Sequence, residues 1–158
     1  VHKAKELQYH TKMINSGRYV NDSMGRYIGK KVVKKIISQG KNILGAHVLV
    51  MGMTFKENLS DIRNSKVADI INEFKDFGAE VDVMDPFASP LEVLQEYGIR
   101  LVERPGKKYD AVVVAVAHTT YLKLDESYFM SITNEHAVLA DVKGVYRGSI
   151  HQMIYWSL

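Results

Sequence analysis

The sequence contains no cysteine, and its longest purely apolar stretch runs only from Ala111 to Ala117. The absence of cysteine excludes disulfides, thiolate metal sites and a cysteine nucleophile within these 158 residues. The apolar stretch is too short for a membrane-spanning helix, which takes about 20 residues. The first five residues lack the apolar core of a signal peptide. We therefore expect a cytoplasmic protein without a membrane segment.

Charge and composition are those of an ordinary globular protein. Hydrophobic residues make up 46% of the chain, charged residues 25%, and the formal net charge is +3. This mild positive charge is compatible with an anionic ligand but is too small to indicate nucleic-acid binding. The six histidines are scattered, and no carboxylate pattern completes a set of metal ligands. We expect neither a nucleic-acid partner nor a metal site.

The chain divides into a helical segment at 1–40 and an alternating segment at 43–158. In the first segment apolar residues recur in steps of three, four and seven, which predicts one long helix from 11 to 38. So long a stripe exceeds what a small domain covers, and we expect it to pack on another domain or subunit. Its members are Met13, Ile14, Val20, Met24, Tyr27, Ile28, Val32 and Ile36.

The second segment alternates predicted strands with predicted helices. The run from Ala111 to Val116 is apolar at every position, as in a central strand covered on both faces. The alternation predicts an α/β fold, a Rossmann-like doubly wound parallel sheet preceded by the long helix. Tyr155 and Trp156 are expected in a tail over the sheet edge. Strands are predicted at 47–51, 80–84, 99–102, 111–116 and 137–141, and helices at 67–77, 90–97 and 124–132.

The most informative segment, residues 52–65, connects the first strand to the first helix of the sheet domain. Its expected length of about nine residues exceeds the usual 2–6, and it lacks the glycine fingerprint of a dinucleotide fold. It carries Lys56 and Arg63 near a predicted helix amino terminus, which attracts anions. Asp61 would cap that helix or orient Arg63. Physical chemistry alone leaves two interpretations open, a phosphate or carboxylate site and a solvated loop.

The spacing Gly-x-x-Phe-Lys-x-x-x-x-Asp-x-Arg-x-Ser resembles the opening of the carboxy-terminal domain in the UDP-glucose/GDP-mannose dehydrogenase family. Three later strands are followed by Asp85-Pro86, by the segment 115–118 ending in His118, and by the segment 141–144, all similar to that family. Residues 17–25 resemble the linker helix of its bacterial and archaeal members. The pattern is carried by Gly52, Phe55, Lys56, Asp61, Arg63 and Ser65.

This resemblance implies an NAD-dependent oxidoreductase that converts the 6-hydroxyl of a UDP-hexose or UDP-N-acetylhexosamine into a carboxylate, for polysaccharide biosynthesis. In the family a preceding Rossmann domain binds NAD and supplies the cysteine thiolate. By the resemblance, residues 43–158 form a UDP-sugar-binding domain with no catalytic residue of its own. The linker at 1–40 would form a homodimer through the helix of residues 11–38.

The resemblance also assigns individual residues. It implies that Phe55, Lys56 and Lys143 bind the UDP-sugar, and that Arg63 reaches NAD held mainly by the preceding domain. Some members have Asp-Gly-Arg where this chain has Asp141-Val142-Lys143, so Arg147 is a rival for the role of Lys143.

Two further polar residues follow strands and leave alternatives open. His118 would contact a nucleotide or be hydrogen-bonded to a nearby loop. Asp85 occupies the place of a ribose-binding acid, but without a glycine fingerprint a turn or packing role is expected. The runner-up functions for the whole chain are a non-catalytic nucleotide-sensing domain and a dimerisation module.

Overall fold

The computed structural model describes residues 12–158, and side chains from residue 21 onward. A long first helix, α1, spans Lys12–Ser38, close to the predicted 11–38. Residue 11 and the side chains of Met13, Ile14 and Val20 lie outside the described part of the chain. Among the described helices, none has the length and apolar character needed to cross a bilayer.

The strands that follow α1 form one parallel sheet of five strands in the order β2-β1-β3-β4-β5. The predicted α/β fold is thereby confirmed. The strands are β1 His47–Met51, β2 Glu80–Met84, β3 Tyr109–Val114, β4 Thr133–Asp141 and β5 Ile154–Ser157. The helices are α2 Val67–Asp76, α3 Pro90–Tyr97 and α4 Glu126–Ser131, with a 3₁₀ turn at Tyr121–Lys123.

Besides shifted bounds, with β3 at Tyr109–Val114 and β4 beginning at Thr133, three elements differ from the sequence expectation. The strand expected at 99–102 is reduced to one bridge between Leu101 and Val83. The helix expected at 124–132 is shorter, because Asp125 caps α4 and the preceding residues form the 3₁₀ turn. The expected tail containing Tyr155 and Trp156 is strand β5, which pairs in parallel with β4. Its aromatic residues suit a half-buried edge strand, yet four residues give too short a pattern to distinguish from a tail.

The sheet is buried on both faces. Alternate residues of β3 point to opposite faces of the sheet. Ala111 and Val113 belong to the hydrophobic cluster on one face, and Val112 and Val114 to the cluster on the other. Helices α1, α2 and α3 cover the first face, and α4 covers the second. The order 2-1-3-4-5 reverses direction between β1 and β3, and doubly wound sheets bind ligands beyond the carboxyl ends of the strands at such a point.

The second half of α1 packs directly on α2. A Cβ on Gly25 would lie 2.5 Å from Asp69 Cβ, and one on Gly29 would lie 2.7 Å from Glu73 Cβ. Because glycine has no side chain, the two helices can approach closely at these positions. On the same helix, Ile28, Val32 and Ile36 are at most 5% exposed. The expectation that this part of the stripe needs a second domain or subunit to cover it is wrong.

The close contact of α1 with α2 predicts an unusual outcome for Gly29→Ala. In a free helix this change stabilises by about 1 kcal/mol. Here we expect the free energy of unfolding to fall by about 1–2 kcal/mol, because the added methyl group overpacks the helix contact. Chemical denaturation measures the change, with Lys34→Ala on the exposed side of α1 as the control. A more stable Gly29→Ala variant would contradict the packing described here.

Candidate functional site

The loop between β1 and α2 covers residues 52–66 and is longer than the sequence predicted. It leaves β1 at Gly52, whose φ of +96° is strained for any other residue. A Cβ there would also lie 2.6 Å from Val116 Cβ and 2.9 Å from Val116 N. Glycine therefore lets the start of the loop pass against the chain leaving β3, at the switch point of the sheet.

The carboxylate of Asp85 fixes the base of this loop. Its side chain is 0% exposed, and Oδ2 accepts the amide hydrogens of Met53, at 2.6 Å, and Thr54, at 3.1 Å. Oδ1 accepts those of Phe87, at 2.7 Å, and Ala88, at 2.9 Å. Asp85 thus joins the ends of β1 and β2, which confirms the turn and packing role over that of a ribose-binding acid.

Burial and hydrogen bonding act in opposite directions on Asp85. Burial disfavours the charged carboxylate, but the hydrogen bonds from His118 and from the amides of Met53, Phe87 and Ala88 together outweigh that penalty. The pKa of Asp85 is therefore held well below its ordinary value. This carboxylate is charged in the folded protein at neutral pH.

His118 links Asp85 to the tip of the loop. Its side chain is 0% exposed, and its Nε2 lies 3.0 Å from Asp85 Oδ2. Its Nδ1 accepts the amide hydrogen of Asn58 at 2.9 Å. An amide nitrogen only donates, so Nδ1 carries the lone pair and the proton is assigned to Nε2. Of the two interpretations of His118, the hydrogen bond to a nearby loop is confirmed.

The tip of the loop is held in one conformation by local contacts. The Phe55 amide donates to Asp61 O at 2.7 Å, and Thr54 Oγ1 donates to Lys56 O at 3.1 Å. Asn58 has a φ of 58°, and its Oδ1 accepts the Thr119 amide at 2.9 Å. The side chains of Phe55 and Lys56 extend from this ordered tip, and Phe55 is 63% exposed.

A second buried carboxylate, Asp141, organises the segment after β4. It is 0% exposed and accepts the amides of Gly144, at 2.8 Å, and Tyr146, at 2.7 Å, together with the Tyr155 hydroxyl, at 2.8 Å. The turn that results carries Lys143. Asp141 therefore plays the same part after β4 that Asp85 plays after β2.

Lys143 lies beside the loop that carries Lys56. Its Nζ is 3.4 Å from Glu57 Oε1. The pKa of Glu57 is lowered by a hydrogen bond to its own backbone, against the effect of burial, and by the charges of Lys143 and Lys56. The two lysines thus lie at the same carboxyl edge of the sheet, and the charge of each acts on Glu57.

A cleft of about 280 Å³ opens at this edge between the loop, α1 and the beginning of α2. Phe55, Glu57 and Lys143 line it, and Ala115 and Val116 reach it from the end of β3. Lys56 and Arg63 are outside the lining. The structure therefore brings Phe55 and Lys143 together in one cleft and places Lys56 next to it in the loop.

Arg63 lines a different groove and, on the outside of the loop, a small pocket that it shares with Phe55. Its guanidinium makes a bidentate pair with Asp61, at 2.9 and 2.8 Å, which holds the pKa of Asp61 at about 2. Asp61 therefore orients Arg63, whereas Ser65 Oγ accepts the Val67 amide at the start of α2. The groove, about 480 Å³, lies between the loop and α3 and includes Glu92.

Arg147, the rival to Lys143, is engaged elsewhere. Its Nη2 donates to Ser157 Oγ at 2.8 Å and to Leu158 O at 3.3 Å, at the end of β5. It is not among the residues that line the 280 Å³ cleft. The geometry favours Lys143 over Arg147 as a cation of the cleft, which is also lined by Lys66, paired with Asp22 at 2.8 Å.

The sequence analysis assigned no role to two residues of the loop, Asn58 and Glu57. Asn58 ties the tip to the end of β3, and asparagine is enriched at positive φ, so its place in a long loop was a usable signal. Glu57 meets Lys143 only because the sheet brings two distant connections together. No local pattern indicates that contact.

Comparison with known proteins identifies the region that contains most of the residues lining this cleft. Residues 49–148 match the model of the UDP-glucose/GDP-mannose dehydrogenase family, UDP binding domain. The chain belongs to this family. The matched region includes the loop between β1 and α2, the turn after β4 and the buried carboxylates of Asp85 and Asp141. It confirms the resemblance carried by the sequence around Phe55 and Lys56.

Relatives within the family are longer. The UDP-N-acetyl-D-glucosamine 6-dehydrogenase of Pseudomonas aeruginosa is 39% identical over 143 residues, which cover 90% of this chain and 34% of the relative. The corresponding enzyme of Salmonella typhi is 37% identical over 145 residues, covering 91% and 34%. The chain therefore spans about a third of the length of these dehydrogenases.

Solved structures of the family show the same arrangement of elements. The UDP-N-acetyl-mannosamine dehydrogenase of Staphylococcus aureus superposes with a TM-score of 0.72 at 28% identity, over 93% of this chain and 33% of the other. The UDP-D-ManNAc dehydrogenase of Pyrococcus horikoshii gives a TM-score of 0.81 at 15% identity, over 98% and 35%. The second likeness is one of fold alone.

The buried Asp85 predicts how stability depends on pH. Its folded pKa is depressed, so its contribution is complete above the unfolded value of about 3.9 and is lost as the pH falls below it. We expect Asp85→Asn to lower the free energy of unfolding at pH 7 by about 2–3 kcal/mol. Below about pH 4 the difference from wild type should shrink. Denaturant titrations at several pH values measure this, with the exposed Asp76→Asn as the control. A difference that is independent of pH would contradict the assignment.

Proposed function

We propose that residues 43–158 bind the UDP part of a nucleotide sugar at the carboxyl edge of the sheet. The observation that carries this proposal is the ordered loop tip with Phe55 and Lys56, held beside Lys143 at the cleft. This arrangement lies within the region that matches the UDP binding domain of the family. Residues 1–40 then serve as the linker to the rest of the protein.

The chemistry of the edge suits a nucleoside diphosphate. Lys56 and Lys143 supply the positive charge that a diphosphate requires, and charge-assisted hydrogen bonds are the strong ones. The exposed ring of Phe55 offers a flat apolar surface to a nucleoside. Glu57 holds Lys143 in a partly exposed pair at 3.4 Å, and ion pairs near the surface contribute about 0–1 kcal/mol. Lys143 can therefore exchange Glu57 for a phosphate at little cost.

For the whole protein we propose an NAD-dependent UDP-sugar 6-dehydrogenase that makes a uronic acid for polysaccharide biosynthesis. The support is the identity of 37–39% to enzymes named UDP-N-acetyl-D-glucosamine 6-dehydrogenase. The 158 residues contain no cysteine and no glycine-rich dinucleotide fingerprint, so in this proposal the thiolate and most of the NAD site belong to another part of the polypeptide. Arg63, outside the cleft and exposed, is the residue of this chain we assign to NAD. A cytoplasmic location stays a prediction.

The division of labour among the basic residues predicts a pattern of UDP affinities. Lys56→Ala and Lys143→Ala should each weaken binding about tenfold, since a charge-assisted contact contributes roughly 1.5–3 kcal/mol. Arg63→Ala should change UDP affinity less than about twofold, because Arg63 faces the other groove. Isothermal titration calorimetry measures these affinities. Lys75→Ala, in the last turn of α2, is the matched control.

Three outcomes of the same titrations would count against the proposal. Equal losses from Lys56→Ala and Arg63→Ala would show that the roles are divided wrongly. Binding of NAD or AMP in place of UDP would indicate a nucleotide-sensing domain. No binding of any nucleotide would leave a structural or dimerisation module.

We also propose that α1 forms a twofold homodimer, as expected for the helix of residues 11–38. Ile28, Val32 and Ile36 are covered within the chain, so the contact must use other residues, and Tyr27 at 45% exposed is a candidate. Tyr27→Asp should convert the dimer to monomer without loss of fold. Light scattering at high concentration tests this, and a monomeric wild-type protein would exclude it.

A further inference from the structure

We propose that His118 is a positioning residue for UDP-sugar binding, which it serves by holding the loop tip through the lone pair on Nδ1. The inference rests on the proposed function of the loop and concerns a residue that never touches the ligand. Its side chain is 0% exposed, beneath the loop that carries Phe55 and Lys56. The effect on the ligand is therefore transmitted through the backbone of Asn58.

The tip of the loop is attached to the sheet at Asn58. The Asn58 amide donates to His118 Nδ1 at 2.9 Å, and Asn58 Oδ1 accepts the Thr119 amide at 2.9 Å. Both partners follow β3 directly. Within the loop, Thr54 Oγ1 donates to Lys56 O at 3.1 Å, and the partly exposed ion pair of Glu57 with Lys143 adds a weak restraint. The attachment of this loop tip to the sheet, and with it part of the positioning of Lys56, thus depends on the end of β3.

The surroundings of His118 select one protonation state of the ring. Asp85 faces Nε2 at 3.0 Å and Thr54 Oγ1 lies 3.3 Å from it, so the proton belongs on Nε2. The rings of Phe87 and Tyr121 lie 4.9 and 5.4 Å from the imidazole and restrict its rotation. A proton on Nδ1 would instead face the Asn58 amide, donor against donor, and release the tip.

Two substitutions separate the two nitrogens. In His118→Asn the amide oxygen stands as many bonds from Cβ as Nδ1 does, so the acceptor for Asn58 is kept and the donor to Asp85 is lost. In His118→Gln the terminal amide reaches as far as Nε2, so the contact with Asp85 is kept and the acceptor for Asn58 is lost. The pair thus distinguishes control of the loop from support of Asp85.

We expect His118→Gln to weaken UDP binding about five- to tenfold, and His118→Asn to stay within about twofold of wild type, by calorimetry. Hydrogen exchange at the Asn58 amide should accelerate in His118→Gln and stay slow in His118→Asn. A His118→Gln variant with wild-type affinity and slow exchange at Asn58 overturns the inference. Equal losses from both variants overturn it as well, since His118 would then act through Asp85 or through packing.

A measurement on the wild-type protein covers the case in which either variant fails to fold. The ¹⁵N shifts of the His118 ring should show a protonated Nε2 and an unprotonated Nδ1, and the opposite tautomer overturns the inference. Failure of the proposed function is distinguishable, because the wild-type protein would then bind no UDP while the tautomer and the Asn58 exchange still report on the loop. If the wild-type protein binds UDP, and Lys56→Ala lowers the affinity for UDP whereas His118→Gln does not, only the inference about His118 fails.

Discussion

The carboxylate of Asp85 is the contact on which the carboxyl edge of the sheet depends. A buried charge is costly unless it is paired and hydrogen-bonded, and Asp85 meets that condition with four backbone amides and His118. Those donors come from the ends of three adjacent strands, β1, β2 and β3. One side chain thereby fixes where the β1 loop starts, how the chain turns after β2, and which way His118 faces.

Asp141 applies the same device after β4. It is buried, accepts two backbone amides and a tyrosine hydroxyl, and leaves Lys143 on the surface of the turn. The two buried acids, Asp85 and Asp141, thus hold backbone amides, whereas Glu57 pairs with Lys143 nearer the surface. An edge built in this way has a rigid frame, and a rigid frame lowers the cost of ordering a site when a ligand binds.

The sequence predicts those parts of the molecule that depend on local pattern. The apolar run of β3 and the periodicity of α1 each suffice to place an element, and the spacing from Gly52 to Ser65 indicates the family of the loop after β1. Strand β5 was missed because four half-buried residues carry too little pattern. Coverage of α1 was misjudged because Gly25 and Gly29 break no periodicity, and their effect appears only when α2 lies against them.

Contacts between loops that are far apart in the chain could not be predicted from the sequence. Lys143 and Glu57 meet because β4 is two positions from β1 in the sheet, and Arg63 turns away because Asp61 holds it.

The most direct test of the proposed UDP site is an experimental structure of the protein with UDP bound. We expect the diphosphate to lie between Lys56 and Lys143, with the Asn58–His118 hydrogen bond intact. UDP bound in the groove beside Arg63, or at the opposite edge of the sheet, would contradict it.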